Sequence, residues 1–108
     1  MSAEIVSMET PVAEDPEKYV FLLFIAGMSI ASSKAVENLH SICEKYLEGR
    51  HEVNIVDIHQ QPEKTVEYQI VATPTLIKSN PAPEKRLIGD LSKTEKVLTI
   101  CDIAFQTQ

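Results

Sequence analysis

Tyr19-Val20-Phe21-Leu22-Leu23-Phe24-Ile25, closed by Ala26-Gly27, is the stretch on which the fold turns. It is an unbroken apolar run, rich in aromatic and β-branched residues, and too short for a buried helix. Such a run predicts a strand covered on both faces, the hallmark of a sheet with helices on either side. Downstream the period changes. Ala35/Val36, Leu39, Ile42/Cys43 and Tyr46/Leu47 recur every three to four positions, which places them on one face of a helix spanning about 29–47. Ser29, Ser32 or Ser33 supplies a cap at its start, and Gly49 suits its stop. Val53 to Ile58 then reads as a second strand. A long helix between two strands makes a parallel βαβ unit with a right-handed crossover.

The rest of the chain follows in shorter pieces. Pro62 opens a weak helix to about Gln69, and Thr75-Leu76-Ile77-Lys78 is a short strand after Thr73-Pro74. Asn80-Pro81-Ala82-Pro83 is turn material, followed by Arg86-Leu87-Ile88 as a further strand. Ser92-Lys93-Thr94-Glu95 has the spacing of a capping box, and Val97, Leu98, Cys101, Ala104 and Phe105 form the stripe of a last helix. The order is β-α-β-α-β-β-α, an α/β fold of thioredoxin-like type. In such folds Pro74 occupies the position of the cis-proline before the third strand.

Composition narrows the function. The chain has 108 residues, enough for one domain, and a net charge of −6. Residues 1–18 hold five acids and one base, leaving 11 acidic and nine basic residues in 19–108. We read 1–18 as a flexible acidic extension and 19–108 as the domain. An acidic balance argues against general nucleic-acid binding. No apolar run is long enough to span a membrane, and no secretory signal precedes the domain. Two cysteines far apart, Cys43 and Cys101, fit a reduced cytoplasmic chain better than a disulfide framework.

A thioredoxin-like order raises redox catalysis, which needs a thiolate at the start of the first helix, where the helix dipole lowers its pKa. Here that segment reads Gly27-Met28-Ser29-Ile30-Ala31-Ser32-Ser33, without cysteine. Cys43 and Cys101 instead lie on apolar stripes and read as buried structural thiols. His40 and Cys43 share a helix face, but no third ligand is spaced to complete a metal site. His51 and His59 bracket the second strand and read as solvated or locally hydrogen-bonded. No metal, cofactor or catalytic group is expected. The remaining chemistry is charge: Lys34, Lys78, Lys85 and Arg86 read as a positive rim, either as scattered surface lysines or as a docking patch for an acidic surface.

Phe21-Leu22-Leu23-Phe24-Ile25-Ala26-Gly27, Ile55-Val56-Asp57-Ile58, Gln61-Pro62, Ala72-Thr73-Pro74-Thr75-Leu76 and Arg86-Leu87-Ile88-Gly89-Asp90-Leu91-Ser92 together resemble the KaiB family, in one colinear register over about 19–105. The resemblance implies a non-enzymatic clock or signalling adaptor that binds a KaiC-type ATPase and modulates its state. It also implies a KaiA-like protein or a sensor kinase as further partners, and a homo-oligomeric ground state, dimer or tetramer. In that ground state the half after about residue 50 adopts a second arrangement. It assigns partner contacts to positions matching Lys34, Lys78, Lys85 and Arg86, and control of the fold equilibrium to Gly89 and Asp90. Glycine reaches backbone angles closed to other residues, and Asp90 can cap the segment that follows.

Gln60 stands where cyanobacterial members carry a lysine, and Ile30 where a proline is usual. An acidic N-terminal extension replaces their acidic tail. These departures resemble a divergent or non-cyanobacterial-type member. Two other readings share the fold: a thioredoxin-like binding module in stress or kinase signalling that ignores KaiC, and a redox enzyme, against which the missing cysteine pair already tells.

Overall fold

The computed structural model describes residues 18–103. The acidic extension falls outside the described residues except for Lys18, as do Ala104 and Phe105. The elements are β1 (Tyr19–Ile25), α1 (Ile30–Tyr46), β2 (His51–Asp57), α2 (Pro62–Glu67), β3 (Thr75–Asn80), β4 (Lys85–Ile88) and α3 (Thr94–Ile100). The fold is a mixed α/β thioredoxin-like sandwich around a four-stranded sheet of order β2-β1-β3-β4.

β1 lies inside this sheet, parallel to β2 and antiparallel to β3. Its side chains therefore feed two cores. Phe21 and Leu23 join Leu39, Cys43, Leu76 and Leu98 beneath α1 and α3. Phe24, on the opposite face, packs with Val56, Ile70 and Ile77 beside α2. Alternation along a strand requires this division, and two apolar faces explain why β1 reads as a continuous apolar run.

α1 starts where Ser29 Oγ accepts the Ser32 amide at 3.1 Å. Of the three serines considered for this cap, Ser29 performs it. Ser32 is buried instead, and its hydroxyl oxygen accepts the Ala26 amide at 3.1 Å, fastening β1 to the helix. After α1 the chain turns through Gly49 at φ +75°, an angle that favours glycine.

Several boundaries differ from expectation, each for a local reason. β2 begins at His51, before Val53, because pairing with β1 starts opposite Tyr19, whose amide also donates to Arg50 O at 2.8 Å. α2 stops at Glu67 as the chain reaches Gln69 at φ 56°. β3 continues to Asn80, which pairs with Val20. The Ser92–Glu95 capping box does not form: Lys93 is the N-cap of α3 and has no side-chain cap bond. The Ser92 amide instead donates to Asp90 Oδ1 at 3.0 Å, so Asp90 outcompetes Glu95 as the local acceptor. α3 ends at Ile100, with Cys101 as its C-cap and Asp102 at φ 59°.

Candidate functional site: basic corner and Gly89-Asp90 turn

The fold separates the four basic residues into distinct settings. Lys34 is exposed in the second turn of α1, and its charge reaches Asp90. Hydrogen bonds from the Ser92 side chain and amide, with a smaller pull from Lys34, hold the Asp90 carboxyl below its ordinary pKa. The Asp90 carbonyl accepts the Asn38 side-chain amide at 2.8 Å. Gly89 sits at φ +129°, and its amide donates to Pro74 O at 2.9 Å. The Gly89-Asp90 turn is thus tied both to α1 and to the loop preceding β3. The Thr73–Pro74 peptide is cis, as are Asn80–Pro81 and Ala82–Pro83.

Lys85 and Arg86 are neighbours on β4, an edge strand, so their side chains leave opposite faces of the sheet. Lys85 shares the face of buried Leu87, under α3. Arg86 shares the face of α2: its Nη1 donates to Tyr68 O at 2.7 Å and its Nε to Glu84 Oε2 at 2.9 Å. The pair brackets the open backbone edge of β4 rather than forming one flat patch.

Lys78 departs most from the expected rim. It pairs across the sheet with Lys85, on the α1/α3 face, and its side chain is 0% exposed. Its Nζ lies 3.6 Å from Asp102 Oδ2 and 5.9 Å from the Tyr19 ring centroid. In this arrangement Lys78 is not a surface contact. The sequence reading put Lys78 on the rim because of its residue type; its register opposite Phe21 and Lys85 turns it to the core face instead.

Redox chemistry finds no support at the start of α1, where a shallow groove beside Met28, Ser32 and Ser33 holds no thiol. Burial pushes the Cys43 thiol up to about 12 and that of Cys101 to about 11, so both stay protonated. Among the described residues no group of three or more His, Cys, Asp or Glu is placed to hold a metal ion. His40 faces Glu44 at 3.6 Å, and the His51 Nδ1 meets Leu47 O at 2.8 Å. A tie the sequence reading missed is made by Asp57, whose Oδ1 accepts the amides of His59 at 2.9 Å and Gly27 at 3.1 Å. Those bonds join the loops after β2 and β1, and they hold the Asp57 carboxyl below its ordinary pKa, His59 contributing most.

Comparison with known proteins places this geometry. The KaiB domain model matches residues 22–103. The chain belongs to the KaiB family. That match runs from within β1 past the end of α3 and so includes the basic residues and the Gly89-Asp90 turn. The chain is 44% identical over 89 residues to the circadian clock protein KaiB3 of Synechocystis, covering 82% of this chain and 87% of that one. It is 40% identical over 88 residues to the circadian clock oscillator protein KaiB of Thermosynechococcus vestitus, covering 82% of each. Solved structures extend the likeness of fold. The N-terminal domain of Synechococcus elongatus SasA superposes with a TM-score of 0.65 at 17% identity, over 92% of this chain and 86% of that one. Fasciola hepatica thioredoxin superposes with a TM-score of 0.66 at 20% identity, over 90% and 91%. This KaiB-family chain thus has a thioredoxin-like body with apolar thiols and a basic edge.

Proposed function

We propose that this chain is a non-enzymatic KaiB-type clock adaptor that docks on a KaiC-type ATPase and modulates its state. The observation that carries the reading is the colinear KaiB match over residues 22–103, which includes the Gly89-Asp90 turn. Lys34, Lys85 and Arg86 steer and register the docked complex, with Lys85 and Arg86 presented on either side of the β4 edge. Lys78 contributes from beneath the surface in this conformation. Gly89 and Asp90 set which fold the C-terminal half adopts, and a homo-oligomer, dimer or tetramer, holds the alternative arrangement. A KaiA-like protein or a sensor kinase competes for or joins the complex, in the cytoplasm.

Docking through one of two conformations lowers apparent affinity by the populated fraction, so complex formation is slow when the competent form is rare. The test is size-exclusion chromatography with light scattering, alone and after long incubation with the cognate KaiC-type ATPase and ATP. Co-elution that develops over hours is the expected result. No complex at concentrations well above micromolar reassigns the chain to a binding module with another partner.

A further inference from the structure

Lys78 Nζ is the one buried side-chain nitrogen or oxygen without a hydrogen bond among the described residues. An ammonium has three donors, and burying it without hydrogen bonds is costly even when an anion stands nearby. Its anion here is poorly placed to repay that cost. Asp102 Oδ2 is 3.6 Å away, and the Asp102 side chain is 55% exposed, so the carboxylate keeps much of its own hydration. Lys85 stands directly opposite Lys78 across the sheet, and two like charges at paired positions repel.

Against this cation lie the Tyr19 ring and Asp102, which belongs to the short segment after α3. Cys101, Asp102 and Ile103 follow α3, and Asp102 holds φ 59°, the left-handed position of a helix end, which aspartate enters more readily than most residues. The segment is held by the Tyr19 hydroxyl, which donates to Asp102 O at 2.6 Å, and by backbone bonds to α3, from the amides of Cys101 to Val97 O at 2.9 Å, Asp102 to Thr99 O at 3.3 Å and Ile103 to Leu98 O at 2.9 Å. Lifting the turn hydrates the ammonium and leaves the β1–β3 pairing intact, against the cost of uncovering Cys101 and Ile103 at the margin of the core.

We propose that Lys78 makes the Cys101–Ile103 turn a labile cover, which opens locally while the sheet stays folded. The closed state hides a cation. The open state sets Lys78 beside Lys85 and doubles the positive charge on that corner. A buried charge is here a conformational device: it weakens one lid and leaves the platform untouched.

Amide hydrogen exchange on the full chain tests this, comparing α3 and the 101–103 turn with Phe21–Leu23 in β1. Lys78→Met fills the same space without charge and slows exchange in the turn by at least about fivefold, with a smaller change in β1. Unchanged or faster exchange in the turn overturns the proposal, as does equal slowing of both regions, which reports global stabilisation. Asp102→Asn guards against a Lys78 variant that fails to fold. It removes the facing anion at an exposed site and speeds exchange in the turn. No acceleration also overturns the proposal.

Discussion

The Asn38 side-chain amide donates to the Asp90 carbonyl at 2.8 Å, joining positions 52 residues apart and fixing the Gly89-Asp90 turn against α1. Asn38 lies beside the apolar stripe of α1, half-buried between Ala35 and Leu39, where an alanine would serve the helix as well or better. Its presence there serves the turn. Asn38→Ala leaves the Asp90 carbonyl without this donor and lowers stability by about 1 kcal/mol. Urea unfolding checks it: the midpoint falls while the slope is unchanged. An unmoved midpoint would show that water replaces Asn38 at no cost.

Acid should weaken this fold through Asp57, Asp90 and Glu52. All three carboxyls are held below their ordinary pKa: Asp57 by the His59 and Gly27 amides, Asp90 chiefly by Ser92, and Glu52 by Asn54 and then Lys18. A depressed folded-state pKa contributes stability above the unfolded value, and that stability is lost as pH falls through the folded value. Melting temperature should therefore hold steady down to about pH 5 and fall below about pH 4, where unfolded carboxyls begin to bind protons first. Asp57→Asn should make the acid limb shallower. A parallel limb would remove Asp57 from the cause.

The two thiols should resist reagents in the folded protein. Cys43 is pushed up to about 12 and Cys101 to about 11, burial being the largest cause for each. Both are therefore protonated and covered near about pH 8, where an unperturbed thiol already reacts. A colorimetric disulfide reagent should titrate no thiol quickly in native buffer and two in denaturant. Rapid native reaction of one thiol would mean that its cover opens often, and Cys101, which belongs to the labile turn, is the one expected to react first.

Charge reversal separates steering from folding. Lys85→Glu should slow association with a KaiC-type ATPase by about tenfold at low salt, an effect that shrinks as salt rises. Arg86→Glu should weaken the complex too, but it also removes the donor to Tyr68 O, so its melting temperature must be measured alongside. Equal association rates for Lys85→Glu and the parent at low salt would remove the β4 edge from the docking surface.

Leu39 probes the core under α1. It is 1% exposed and packed among the β1 side chains, so Leu39→Ala should cost about 2–5 kcal/mol. Chemical denaturation followed by far-ultraviolet circular dichroism reads this directly. A loss below about 1 kcal/mol would mean that the helix collapses into the gap.

The element order was legible because β1 and α1 carry strong, different periods. Seven apolar residues in a row mark a strand covered on both sides, and the Ala35–Leu39–Ile42 stripe marks the helix above it. The caps were harder to read. Ser92 and Glu95 have the right spacing, but spacing cannot tell that Asp90, two residues upstream, reaches the Ser92 amide first. Lys78 was harder still: whether a lysine at a core-facing position finds solvent depends on what the chain's far end lays over it, here Asp102, and that contact has no local signature. Lys85 and Arg86 illustrate a third limit. Adjacent in sequence, they point to opposite faces once β4 is a strand, so a run of basic residues is not by itself a patch.

The burial of Cys43 and Cys101 has a practical side. With Cys43 covered and Cys101 uncovered only when its turn opens, a single cysteine introduced at an open position such as Ile30, whose side chain points into solvent at the head of α1, becomes the fastest-reacting attachment point for a dye or spin label. The parent chain needs no prior cysteine removal, which would itself hollow the interior. Distances from that label to a second one near β4 would then follow the C-terminal half in real time as the chain meets its partner.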